Sequence, residues 1–154
     1  MTESSRPFRY YLRVRYGEVD MQKVVYNPRY GEYVDIAGSE FLKAALPDPA
    51  DLTNGNFEYQ LVKLLIEWKG PARFDDVLEI EVRSKALGRT SFTLAFAFRK
   101  RGESEPFLTA ETVNVLVDAA SWQKRPIPAD LAARLQAGAR GVVVDHAGHG
   151  PQGR

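Results

Sequence analysis

Between residues 57 and 118 the sequence carries four runs with the period of β-strands, joined by turns too short to do anything but reverse the chain. The runs are 57–69, 76–87, 90–101 and 107–118. In the second, Leu78, Ile80 and Val82 alternate with Glu79, Glu81 and Arg83, and in the third Phe92, Leu94, Phe96 and Phe98 share one face. Leu87-Gly88-Arg89 and Arg101-Gly102-Glu103 connect consecutive runs. Connections of that length permit antiparallel hairpins, whereas a parallel crossover needs a dozen or more residues. The apolar face of such a sheet needs a cover, and one long segment can supply it. Tyr30, Tyr33, Val34, Ala37, Phe41, Ala44 and Ala45 recur at helical spacing, giving an apolar stripe for about five turns of ~3.6 residues. Asn27-Pro28 reads as the N-cap and first helical position, and Pro47 ends the helix. An earlier strand is predicted where Phe8, Tyr10, Leu12, Val14 and Tyr16 alternate with Arg9, Arg13 and Arg15. The expected architecture is α+β: a long central helix wrapped by one antiparallel β-sheet of about five strands.

With 154 residues and 44% hydrophobic content, the chain suffices for one core and falls short of two ordinary domains. We expect a single domain over 1–128, followed by a short helix at 129–137 and a flexible tail to 154. Pro126-Ile127-Pro128 breaks the strand series, and after 138 only Val142-Val143-Val144 is apolar among glycines and small residues. Pro47-Asp48-Pro49 and Asn54-Gly55-Asn56 mark a loop. Net charge is +1, from 21 basic and 20 acidic side chains, which gives no reason to expect nucleic acid as a partner. There is no cysteine, so disulfides and thiol catalysis are excluded, in keeping with an expected cytoplasmic location. Met1-Thr2-Glu3-Ser4-Ser5-Arg6-Pro7 lacks the apolar core of a signal peptide, and Leu64-Leu65-Ile66 is far short of the ~20 residues of a membrane span.

Asp20 lies in Glu18-Val19-Asp20-Met21-Gln22-Lys23-Val24-Val25-Tyr26-Asn27-Pro28-Arg29-Tyr30, between a strand and a helix start. A carboxylate facing the free N–H groups of a first helical turn can attack, or activate water against, a carbonyl whose oxyanion those groups hold. The spacing of Asp20, Val24-Val25, the aromatic Tyr26, Asn27-Pro28 and Tyr30 resembles the signature of the 4-hydroxybenzoyl-CoA thioesterase family of hotdog-fold proteins, including its YbgC-like members. Over residues 8–128 the order of elements resembles that family too. The resemblance implies an acyl-CoA thioesterase with Asp20 as the catalytic carboxylate and the backbone amide of Asn27 polarising the thioester carbonyl. It also implies substrate contacts from Tyr26, Tyr30, Asp35, Tyr59, Gln60 and Ser91, and a phosphate contact from Arg89. The chain departs from the pattern in carrying Lys23 where many members have Gly, and Asn27 where many have His or Tyr. Lys23 is costly wherever a loop requires positive φ.

Coenzyme A is then part of the substrate, and no cofactor or metal is expected. The resemblance further implies a homodimer assembling to a homotetramer, consistent with the association a bare sheet edge invites. Alternatives are an acyl-carrier-protein thioesterase and a catalytically silent acyl-thioester-binding protein. A hotdog dehydratase is disfavoured, because both histidines, His146 and His149, fall in the expected tail. Those histidines lack the further ligands of a metal site. Gly148-His149-Gly150-Pro151-Gln152-Gly153 matches a dinucleotide-binding spacing by chance, with no helix to follow it. A Ser-His-Asp hydrolase is improbable without a Gly-x-Ser-x-Gly elbow.

Overall fold

The computed structural model describes residues 2–46, 48 and 57–148; the helix stop expected at Pro47, the rest of the expected loop apart from Asp48, and the tail beyond 148, His149 included, lie outside them. The elements are a 3₁₀ turn (Glu3–Ser5), β1 (Phe8–Arg13), a second 3₁₀ turn (Tyr16–Glu18), α1 (Arg29–Ala45), β2 (Phe57–Trp68), β3 (Val77–Leu87), β4 (Ser91–Lys100), β5 (Leu108–Asp118), α2 (Ala129–Ala137) and β6 (Val143–Asp145). The four central strands match the predicted runs to within one residue at either end, because period and turn length are both local properties. α1 begins one residue later than expected. Pro28 is its cap residue, and Arg29 and Tyr30 donate N–H bonds three residues back, to the Tyr26 and Asn27 carbonyls at 2.8 and 3.2 Å. Asn27 therefore stands just outside the helix, in a tight entry turn.

The sheet order is β2-β5-β4-β3-β1-β6. It has six strands rather than about five, and it is mixed rather than wholly antiparallel, since β6 runs parallel to β1. The added strand comes from the segment expected to be a loose tail. β1 offers an unpaired row of backbone groups, and Arg9 donates to the Val142 carbonyl at 3.1 Å while His146 donates to the Tyr11 carbonyl at 2.9 Å. Gly141 makes the approach feasible at φ +78°, where a Cβ would meet Ser4 Cα at 2.9 Å.

The α1 stripe is buried as its spacing requires, with Tyr30, Tyr33, Val34, Ala37 and Phe41 all sealed in one cluster with Phe8, Ile80, Leu94, Phe96 and Phe98. Phe8 and Phe41 meet edge to face at 5.7 Å. α2 adds Leu131 and Leu135, which close the core beside Leu42, Leu46, Phe57 and Leu116. At the sheet's opposite edge β2 has no strand beyond it among the described residues. Its Leu61, Val62, Leu64, Leu65 and Trp68 are each between 42% and 60% exposed.

Candidate active site

The loop between β1 and α1 folds back on itself. Asp20 donates its N–H to the Val24 carbonyl and Lys23 donates to the Asp20 carbonyl, both at 2.9 Å, closing a turn over 20–23 in which Lys23 adopts φ +65°. Val19 pairs with Val25 across the turn, Tyr26 N–H reaches the Glu18 carbonyl at 3.0 Å, and Val25 N–H reaches the Ala72 carbonyl at 2.9 Å. Asp20 is half-buried, and its Oδ1 accepts the Gln22 N–H at 2.8 Å. The Asn27 amide donates no hydrogen bond among the described residues, and Pro28 after it has none to donate. An unengaged N–H thus stands at the positive end of a 17-residue helix, on the same folded loop as a carboxylate.

Beneath this loop Tyr30 is 1% exposed, its hydroxyl accepts the Ala72 N–H at 2.9 Å, and its ring meets Trp68 edge to face at 5.9 Å. Burial pushes its phenol up despite that bond, and the negative charges of Asp76 and then Asp20 add to the rise. Tyr30 belongs to the core. Glu18 is buried too. Its Oε1 accepts the Arg15 N–H at 2.7 Å and its Oε2 pairs with the Arg15 guanidinium at 3.1 Å. Burial pushes the Glu18 carboxyl up, but Arg15, through side chain and backbone, together with the Tyr33 hydroxyl holds it below its ordinary 4.5.

A pocket of about 170 Å³ opens one helical turn into α1, between the helix and β2, β4 and β5. Val34, Leu42, Leu61, Leu64, Leu94 and Phe96 form its apolar walls. Gly31 and Gly38 leave the helix surface bare, while Asp35, Ser39, Tyr59, Thr112 and Asn114 supply polar groups. Burial raises the Tyr59 phenol, and the charge of Asp35 raises it further, so the hydroxyl stays a proton donor at neutral pH.

The profile of the thioesterase-like superfamily matches residues 14–135, from the end of β1 through most of α2. The chain belongs to that superfamily. It is 29% identical over 130 residues to the acyl-CoA thioester hydrolase YbgC of Escherichia coli, covering 84% of this chain and 96% of the relative. It is 27% identical over 128 residues to a 1,4-dihydroxy-2-naphthoyl-CoA hydrolase of Synechococcus elongatus, covering 80% and 90%. The crystal structure of a 1,4-dihydroxy-2-naphthoyl-CoA thioesterase from Synechocystis superposes with a TM-score of 0.73 at 20% identity, covering 84% of this chain and 95% of that one, and shows the shared hotdog fold. The chain is accordingly an enzyme of the thioester hydrolase class.

Within that thioesterase frame the sequence candidates fall into separate places. Asp20, Asn27 and the exposed Tyr26 share the folded loop, and Asp35 and Tyr59 share the pocket. Gln60 follows Tyr59 on β2 and so points to the opposite face, where it pairs in register with Val115. Ser91 opens β4 across from the same Val115. Arg89 is exposed in the β3–β4 turn, where its carbonyl accepts the Ile127 N–H at 2.9 Å. Across β5, that turn lies toward the Phe57 end of β2, whereas the Asp20 loop leads into Tyr30, which meets Trp68 at the other end of the strand. Ser39, Thr112 and Asn114 were missed. The sequence does carry a sign of the last two, because the core-facing series of β5, Leu108, Ala110, Thr112, Asn114 and Leu116, is polar at its middle.

Proposed function

We propose that this protein hydrolyses coenzyme A thioesters, with Asp20 as the catalytic carboxylate and the Asn27 amide as the oxyanion donor. The observation that carries the reading is an unengaged amide at the start of α1 on the same folded loop as Asp20, one turn from a pocket with apolar walls. The acyl group occupies that pocket. As charge develops on the thioester oxygen, the Asn27 N–H and the helix dipole stabilise it. Asp20 adds to the carbonyl carbon to give a mixed anhydride that water then cleaves, or it takes a proton from the water that adds. In either route the C–S bond breaks, the thiolate leaves and is protonated, and the free acid forms. The chemistry calls for no cofactor, since a thiolate is already a good leaving group. The names of the two relatives support a coenzyme A ester rather than a carrier-protein ester.

The site requires a second copy of the chain. Arg89 and Asp20 stand at opposite ends of β2, so a phosphate clamp and a nucleophile cannot serve one substrate from one protomer. Antiparallel pairing of β2 with a second β2 brings the Phe57 end of one chain to the Trp68 end of the other. Arg89 and Tyr59 of one protomer then approach Asp20 and Asn27 of its partner. The bare apolar edge of β2 supports this dimer, and further pairing of dimers gives the tetramer. Among the described residues no helix is long and apolar enough to cross a membrane.

Thiol release from a panel of acyl-CoA esters tests the reading, in an assay the cysteine-free chain does not perturb. Asp20→Asn is expected to lower kcat by about 10²–10⁴-fold while ester binding and the oligomer persist. The hydrogen bond from Gln22 to Asp20 favours one rival, in which the carboxylate only shapes its turn. Ester binding without turnover by either protein would establish that rival.

A further inference from the structure

We propose that Thr112 and Asn114 form a hydrogen-bonding floor that makes the pocket select a short acyl group bearing a hydroxyl over the plain hydrocarbon of the same length. Both residues occupy core-facing positions of β5 and are only 6% and 8% exposed. Their neighbours in sequence, Val113 and Val115, face the other side of the sheet, so the polarity of the strand is inverted along this stretch. Buried polar groups are normally satisfied by the fold. Here the only bond the two side chains make among the described residues is from Asn114 Nδ2 to Thr112 Oγ1, at 3.5 Å the outer limit of such a contact. A second amide N–H, the amide oxygen and the Thr112 hydroxyl proton are left for a pocket occupant.

Asp35 and Ser39 from α1 and the Tyr59 hydroxyl from β2 stand around the same space. Together these groups offer both donors and acceptors. A hydroxyl, which is both at once, satisfies such a set, and a methylene leaves the remaining donor and acceptor positions of the buried Thr112 and Asn114 unpaired. In size the pocket fits a short group. A cavity of ~150 Å³ holds one benzene, and this pocket measures about 170 Å³. Valine and leucine at these two positions would serve stability at least as well, so the presence of polar side chains at the helix–sheet interface points to ligand selection.

This proposal rests on the thioesterase reading for the identity of the occupant, and its test separates the two. Turnover of hexanoyl-CoA is compared with its terminal-hydroxyl analogue, and of butyryl-CoA with its β-hydroxyl analogue, for the parent, Thr112→Val, Asn114→Leu and Thr112→Ser. The parent is expected to favour a hydroxylated ester in at least one pair by about 10-fold or more in kcat/KM. Thr112→Val and Asn114→Leu are expected to bring that preference below about 3-fold without loss of thermal stability, and Thr112→Ser to restore most of it. A preference for plain esters in the parent, or one undiminished in both apolar variants, overturns the proposal. Should none of these esters turn over, the wider acyl-CoA panel decides the thioesterase reading and calorimetry decides the floor: hexanoate and its terminal-hydroxyl analogue are titrated into the parent and Asn114→Leu. Tighter binding of the hydroxy acid, abolished by the substitution, sustains it, and equal or absent binding overturns it.

Discussion

Lys23 occupies the left-handed region at φ +65°, where an L side chain costs roughly 1–2 kcal/mol and glycine almost nothing. The turn holds it there through the paired bonds between Asp20, Lys23 and Val24, and that turn in turn holds the Asp20 carboxylate. Lys23→Gly, offset by the greater freedom of glycine in the unfolded chain, is expected to raise unfolding free energy by up to about 1 kcal/mol in urea denaturation. A β-branched Lys23→Val is expected to lower it by a similar amount. Glu18 sets a different dependence. Its carboxyl titrates lower in the folded chain than its ordinary 4.5, so the stability it contributes is complete above about 4.5 and is lost as pH falls through the folded value. The stability gap between the parent and Glu18→Gln, measured by urea titration from pH 7 downward, is expected to shrink below that point. A gap that stayed constant with pH would mean the Arg15 contact is not ionic.

Among the elements, α1 does two jobs that compete. Its apolar stripe seals the core, and the adjoining strip of Gly31, Asp35, Gly38 and Ser39 walls the pocket. Glycine within a helix costs about 0.8–1 kcal/mol relative to alanine. At Gly38 a Cβ would lie 3.5 Å from the Phe96 ring, an ordinary contact. Gly38→Ala is therefore expected to stabilise the fold by up to about 1 kcal/mol, seen as a higher Tm, and to reduce turnover selectively for the bulkiest acyl groups it accepts. Equal loss across all acyl sizes would place the wall of the acyl site elsewhere. β5 shows the same division, with Leu108 and Leu116 serving the core and Thr112 and Asn114 between them serving the pocket.

At the scale of the whole molecule the two sheet edges differ. β6 covers β1, whose inward Tyr10 hydroxyl meets His146 Nδ1 at 3.1 Å, and β2 remains bare with a row of exposed apolar side chains. Association is thereby steered to one edge. Val62 and Leu65 are exposed on β2 and do not line the pocket, so Val62→Lys with Leu65→Lys leaves a single protomer's core and pocket intact. The double variant is expected to sediment as a monomer and to lose more than about 10-fold in thiol release, because Asp20 then lacks the partner's end of β2. A monomer that kept full turnover would show that one chain carries a complete site.

Short-range patterns settled much of this protein before folding is considered. The period-two runs with three-residue turns require antiparallel hairpins, the stripe from Tyr30 to Ala45 requires a helix laid on them, and the spacing from Asp20 to Tyr30 carries the thioesterase resemblance. The remainder depended on contacts between distant residues. Val143–Asp145 became a strand only because β1, more than a hundred residues earlier, exposed an edge. Glu18 became buried only because Arg15 and the packing of the loop enclosed it. Tyr30 went to the core and Asp35 to the pocket because the sheet accepted one helix face and left a gap beside another. Arg89 fell at the far end from Asp20 because β2 runs the length of the sheet. Local geometry fixes period and reversal, whereas burial, edge pairing and the two ends of a site are properties of the packed sheet.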